Sequence, residues 1–400
     1  MKNCDVLIVG GGPAGSSCAR QLHRAGLDVV VWDRCTFPRD KICAGWITPQ
    51  VLTEVQLDPK AYASEGLTFQ PIRGFRISRL GDVEVRVHYG RPVSYGIRRC
   101  EFDDYLLRRS GADLHLGERV HTLRRLNREW LLNDTVRAKV LVGAGGHFCP
   151  VARLLGAHRG GAEPIVAAQE AEFELAPKQR LACRVEPDVP EIFFTRDLKG
   201  YAWVIRKGSY LNIGLGRQDT HQLGERMTQF VAFLEQRGRI PVGLPARFRG
   251  HPYLLYGDGP RPLLGDAALV IGDAAGLAYS RSGEGIRPAI ESGLFAAQTI
   301  LEADGKYARD RLATYEQKIV ARFGPRRTPF GITNLLPRWV AVPIAGRLFR
   351  SAGLVRHVVL NRWFLHAHQP PLTADEGQAL APTTRRRALG DSMSDSQTAG

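Results

Sequence analysis

CDVLIVGGGPAGSSCARQLHRAGLDVVVWDR, residues 4 to 34, reads as strand, glycine turn, helix, strand and terminal acid. Cys4 to Val9 is a short apolar run of the kind buried on both faces of a parallel sheet. Gly10, Gly12 and Gly15 follow it with G-x-G-x-x-G spacing. In that pattern Gly10 permits a tight turn, Gly12 lets the backbone approach a pyrophosphate, and Gly15 lets helix and strand pack closely. Pro13 and Ala14 open a helix that runs to about Ala25 and stops at Gly26, and the missing proline N–H costs little in a first turn. Asp28 to Trp32 is a second apolar strand. Asp33 ends it roughly 20 residues after the glycines, where a carboxylate accepts hydrogen bonds from an adenosine ribose. The complete unit predicts a bound dinucleotide with its pyrophosphate at the helix N-terminus.

The bulk properties bound what surrounds this unit. A chain of 400 residues with 44% apolar and 24% charged residues is an ordinary soluble globular protein of one large or two joined domains. The first strand begins at Cys4, with no apolar leader before it, and no run reaches the roughly 18 uncharged residues of a membrane span. Seven cysteines without a C-x-x-C pair form neither a disulfide framework nor a zinc site, and a reduced cytoplasmic setting is expected. His366 and His368 lie two apart with no further spaced ligand, so no metal site is expected and both read as surface residues. The net charge of +15 admits anionic partners, but the arginines are dispersed. Their one dense cluster, Arg385 to Arg387, lacks interleaved aromatics, so nucleic acid is not an expected partner.

A dehydrogenase and a flavoprotein can share the opening unit, so the choice rests on downstream residues. Ala267 to Asp273, AALVIGD, is an apolar strand ending in Gly272-Asp273, and a glycine-rich turn follows. Ile286, Ile290, Leu294, Ala297 and Leu301 then recur at helical spacing. This arrangement resembles the glutathione-reductase-type flavoproteins of the p-hydroxybenzoate hydroxylase superfamily. The resemblance implies FAD, with Asp273 on its ribityl chain and the helix start facing the flavin. In IRRCEFDDYLL, Arg98 or Arg99, with Phe102 and Asp103, resembles the arginine that approaches the cofactor, and Arg98 is taken for that role. KVLVGAGGHFCPVARLLG, from Lys139, resembles the superfamily's strand ending in G-A-D-G, with Gly145 where the acid usually stands.

Within that superfamily the chain is most similar to geranylgeranyl-reductase-type enzymes. TFPRDKICAGWITP, Thr36 to Pro49, is similar to their flavin-side loop, and SGEGIRPAIESG, Ser282 to Gly293, to their T-G-E-G-I stretch. The family's Cys-Gly-Gly reads Cys43-Ala44-Gly45 here, and its Tyr-x-Trp-x-Phe-Pro motif survives as Tyr201, Trp203, Ile205 and Arg206. The likeness adds Arg34, Arg39, Lys41, Gly283, Glu284, Gly285 and Ile286 to the expected FAD contacts, beside Gly10, Gly12, Pro13, Ala14, Gly15, Asp33, Gly272 and Asp273. Only one complete nucleotide fingerprint exists, so NAD(P)H or another reductant is expected to bind transiently.

The expected fold is α/β: a Rossmann-like FAD-binding domain (1–70, 96–160 and 260–330) with an inserted antiparallel-sheet substrate domain (71–95 and 161–259) and C-terminal helices (331–381). Gly74 to Arg86 and Ala167 to Leu175 alternate in polarity, and EIFFTRDLKGYAWVIRKGSYLNIGLGR reads as a three-stranded meander. Tyr307 to Leu365 reads as helical, with Trp339, Phe349 and Trp363 among arginines. Packing on the FAD domain is the favoured reading of that stretch, and peripheral contact with an anionic membrane the other. The tail from 382 to 400 is expected to be disordered.

The likeness of the flavin-side loop and of the meander to the geranylgeranyl-reductase-type family implies an oxidoreductase that reduces carbon–carbon double bonds of an isoprenoid or similarly apolar substrate, with hydride supplied by the flavin. The rival is an FAD-dependent monooxygenase that hydroxylates or epoxidises its substrate. Cys43, Tyr201 and Trp203 are the candidates for the substrate pocket. Tyr279 is a further pocket candidate, and Arg206 and Lys207 read as flanking a solvated hairpin turn. Glu284 is expected to order the helix start rather than act as a base.

Overall fold

The computed structural model describes residues 1–157, 163–219, 221–244, 247–259, 261–326 and 349–372. Trp339 and the tail from 382 to 400 lie outside the described residues. The opening strand, Lys2–Val9, pairs in parallel with Val29–Asp33 on one side and Val136–Gly143 on the other. Asp113–Leu116 and Ala268–Val270 extend this parallel core outward, and an antiparallel hairpin, Leu123–Leu126 with Glu129–Leu132, is attached to Val136–Gly143. The strands are near-continuous apolar runs because helices and loops cover both faces.

Pro13–Arg24 and Ile286–Glu302 pack against each other over this sheet. Their contact is a backbone approach: a Cβ on Gly293 would stand 2.4 Å from the Ala14 carbonyl oxygen. This brings the N-termini of both helices to one place, although their sequences lie some 270 positions apart.

Among the described residues the second sheet has seven strands, in the order Arg249–Leu254, Ile165–Glu174, Tyr210–Arg217, Gly200–Lys207, Glu191–Phe194, Gly74–Arg79 and Val85–His88. Its meander is antiparallel, while Gly74–Arg79 joins Glu191–Phe194 in parallel. One face packs on helix Leu223–Gln236 through Phe193, Val204, Ile213, Met227 and Phe230. A short sheet of Trp46–Ile47, Ser94–Ile97 and Phe69–Ile72 links the two large ones.

The C-terminal stretch divides its packing. Thr314–Phe323 lies on the parallel-sheet core through Tyr315 and Ile319. Val355–Phe364, a π-helical segment, packs instead on Ile72, Phe75, Ile192 and Phe194 of the second sheet. Phe349 is buried and Trp363 half-buried there, so this segment packs on the second sheet rather than on the FAD domain.

Candidate functional site

A cavity of about 1090 Å³ opens between the two large sheets. Gly10, Gly12, Pro13 and Ala14 line it from the first glycine turn, Asp33 and Arg34 from the end of the second strand. Arg39, Lys41 and Cys43 reach it from the loop before Trp46. Asp273 and the turn Gly283, Glu284, Gly285 and Ile286 complete that wall, and Tyr201 and Trp203 face it from the meander.

Three expected contacts lie outside the lining. Gly15 turns toward the strand, where a Cβ would stand 1.9 Å from the Gly10 carbonyl oxygen. Gly272 is packed against Ala14 and Ala289 with its N–H donated to Ser292 Oγ at 2.9 Å. Both glycines shape the walls. Arg98 is the third, a correction by one position: it donates to Glu101 at 2.7 Å and lies over the Tyr210 ring, whereas Arg99 lines the cavity. Arg99 starts its helix inside the fold and grips Asp103 through two bonds of 2.7 and 2.8 Å.

The helix starting at Pro13 has the glycine Gly12 as its N-cap, no side-chain cap and no acid in its first turn. Its first N–H groups therefore lack a side-chain partner at a point lining the cavity, a site made for a phosphate. Arg39 stands beside it, with Nη2 3.3 Å from where a Gly12 Cβ would be. Asp33 accepts from the N–H of Gly11 at 2.7 Å and of Cys35 at 2.9 Å. Each carboxylate oxygen keeps a lone pair for a further donor.

Asp273 forms a second polar centre on this wall. Lys41 Nζ lies 3.9 Å and His251 Nε2 3.7 Å from its Oδ2. Burial works to raise the Asp273 carboxyl, but His251, Lys41 and Arg99 outweigh it and hold the group well below the usual carboxylate range. The same burial pushes His251 down, against the opposing pull of the Asp273 carboxylate beside it. Glu284 Oε1 accepts from the Arg287 N–H at 2.9 Å and so orders the helix start, while burial pushes its carboxyl up to about 7.

Period-two alternation decides which side chains of the second sheet face the cavity. Ala168, Glu170 and Glu172 alternate on one strand, and Tyr201, Trp203 and Ile205 on another. Trp203 lies flat because Gly214 faces it: a Cβ there would stand 2.2 Å from Trp203 Cζ2. Its Nε1 donates to Asn212 Oδ1 at 2.7 Å, and Asn212 Nδ2 donates to the Cys43 carbonyl at 3.2 Å. Trp46, Ile192 and Phe364 extend this apolar wall.

Other readings change. Lys207 is not on a solvated turn: its buried ammonium donates to Glu172 Oε1 at 2.6 Å and the Ile97 carbonyl at 2.8 Å. Tyr279 does not line the cavity and instead stacks on His366 at 3.6 Å between centroids. That makes His366 a buried residue, 7% exposed. Glu170, Glu172 and His251 were not singled out from sequence, since no local motif marks residues whose site is assembled by strand pairing.

A family model described as FAD dependent oxidoreductase matches residues 5–80. Menaquinone reductase of Mycobacterium tuberculosis is 31% identical over 327 residues, 76% of this chain and 78% of that protein. Digeranylgeranylglycerophospholipid reductase of Thermoplasma acidophilum is 26% identical over 356 residues, 81% of this chain and 85% of that protein. The crystal structure of a geranylgeranyl bacteriochlorophyll reductase-like protein of Thermoplasma acidophilum superposes with a TM-score of 0.72 at 22% identity, covering 91% of this chain and 97% of that one. With this extent of likeness along the chain, and a two-sheet fold in common, the protein belongs to the FAD-dependent oxidoreductases of the geranylgeranyl reductase and menaquinone reductase family.

Proposed function

We propose that this enzyme reduces carbon–carbon double bonds in the prenyl chain of an isoprenoid lipid or quinone. The observation that carries the reading is one cavity joining an uncapped helix start and a buried aspartate to an aromatic and aliphatic wall. The residues fit FAD. Gly10, Gly12 and the first N–H groups of Pro13–Arg24 would take its pyrophosphate with Arg39, Asp33 its ribose, and Asp273 its ribityl hydroxyls. Gly283 to Ile286 would face the ring. Bound and reduced, the cofactor supplies hydride.

The chain's own residues do the rest. Trp46, Ile192, Tyr201, Trp203, Ile205 and Phe364 exclude water from a prenyl chain and orient it. Cys43 stands where the loop before Trp46 meets this wall, and its backbone is fixed by Asn212. The names of the relatives support the substrate class, since both contain prenyl chains. NAD(P)H or a comparable reductant would bind transiently, and a basic surface suits peripheral contact with the anionic membranes where such lipids reside. Among the described residues no helix is long and apolar enough to cross a membrane.

Photoreduced enzyme mixed anaerobically with menaquinone or geranylgeranyl lipids is expected to reoxidise and yield product heavier by two hydrogens per reduced bond. Product formed only with oxygen and carrying an added oxygen atom would replace this reading with a monooxygenase.

A further inference from the structure

Glu170 is an acid in an apolar wall that nothing above uses. It lines the cavity between Ala168 and Glu172 on the inward face of its strand, is 7% exposed, and its Oε2 has no hydrogen-bond partner. The charged groups around it are committed elsewhere. Glu172, on the same face, binds Lys207 and Arg98. Lys207, from the meander, is held by Glu172 and the Ile97 carbonyl. Arg249, in register with Glu170 on the edge strand, pairs with Asp40 at 2.8 Å. Asn212 and Cys43 are the remaining polar neighbours, on the adjacent strand and the facing loop. Arg99, beyond Cys43, is held by Asp103.

A buried carboxyl without a cation of its own is more stable as the neutral acid. Burial first, and then the charge of Glu172, push Glu170 up to about 8, against smaller opposing effects of the Cys43 backbone, Lys207 and Asn212. It therefore carries a proton at neutral pH inside a water-poor chamber. Reduction of a double bond needs one.

We infer that Glu170 is the general acid of the reduction, delivering the proton that completes the second new C–H bond. One alkene carbon receives hydride, two electrons from reduced FAD, while the alkene π pair takes the Glu170 proton at the other carbon. The products are the saturated bond, oxidised FAD and the Glu170 carboxylate, which regains a proton from water once product has left. This inference rests on the reductase reading above.

Two measurements test it, with Glu170→Gln and Glu170→Asp beside the wild type. Infrared titration of the cofactor-free protein is expected to show a protonated carboxyl band that disappears near pH 8 and is missing in Glu170→Gln. In anaerobic single turnovers with a geranylgeranyl lipid, wild-type flavin reoxidation should slow as pH rises through about 8. Glu170→Gln should be at least ~100-fold slower and insensitive to pH over that range, with unchanged flavin content. Glu170→Asp should recover part of the rate together with the pH dependence.

A Glu170→Gln variant that reduces the lipid at the wild-type rate with the wild-type pH profile overturns the assignment alone. So does the lack of any titrating protonated carboxyl. Wild-type enzyme that yields no saturated product overturns the reductase reading and this assignment with it.

Discussion

Lys207 and Glu172 form a buried ion pair, Nζ to Oε1 at 2.6 Å, in a slot between two glycines. A Cβ on Gly45 would stand 2.4 Å from Lys207 Nζ, and one on Gly96 3.1 Å from Lys207 Cγ. The loop before Trp46 and the strand Ser94–Ile97 thus close around a lysine stem that crosses from the second sheet. Removing the cation leaves Glu172 in the cavity wall with the longer contacts to Arg98 and Asn212, at 3.4 and 3.3 Å. Lys207→Met is expected to cost about 3 kcal/mol in chemical unfolding, and a loss below ~1 kcal/mol would show that the pair is not structural.

The two glycines of the opening turn should fail in different ways. Gly12→Val adds bulk at the helix start, next to Arg39, without a backbone clash. Folded but colourless protein is expected, with the far-ultraviolet dichroism of the wild type. Gly15→Val places a side chain against the Gly10 carbonyl, so insoluble protein is expected. Yellow Gly12→Val protein would remove the pyrophosphate from that position.

Asp273→Asn keeps the shape of the polar centre and removes its charge. Loss of a charge-assisted hydrogen bond is worth about 1.5–3 kcal/mol, so FAD affinity should fall by tenfold or more, measured as bound flavin per protein. Equal occupancy in wild type and variant would place the ribityl chain elsewhere.

Gly214→Ala should disturb the aromatic wall rather than the fold. The new methyl forces Trp203 off its strand, an overpacking worth about 1–3 kcal/mol. A red shift in tryptophan emission with a lowered melting temperature is expected. An unchanged spectrum would mean the indole does not lie on Gly214.

Stability should fall as pH rises across the neutral range. Burial pushes Glu170 up to about 8 and Glu191 and Glu284 up to about 7, whereas in the unfolded chain these carboxyls ionise near 4.5. The folded state therefore holds more protons between 4.5 and 8, and each group lowers stability by roughly 1 kcal/mol per pH unit over its own window. His366 acts oppositely: burial pushes it down to about 3, so stability is full above 6.5 and is lost as pH falls toward 3. Melting temperatures measured from pH 5.5 to 8.5 should decline, and Glu170→Gln should flatten part of the decline. A rising curve contradicts the buried neutral acids.

Much of this protein is written locally. Apolar runs from Cys4 to Val9 and Asp28 to Trp32, with glycines spaced between them, have few alternatives to a βαβ unit, since strand period, turn geometry and close helix packing are properties of neighbouring residues. The same holds for Asp273 before its glycine turn and for the inward alternation of Tyr201 and Trp203. What sequence could not decide were choices made by distant partners. Arg98 and Arg99 differ by one position, and both have an acid at helical spacing, Glu101 and Asp103. Only the way their helix is seated shows which faces the cavity. Lys207 and Glu170 sit among ordinary strand residues, and their burial follows from Glu172, Asn212, Gly45 and Arg249 arriving from other strands and loops. Charge and protonation depend on that assembled surrounding, because desolvation and Coulomb interactions act through space and not along the chain.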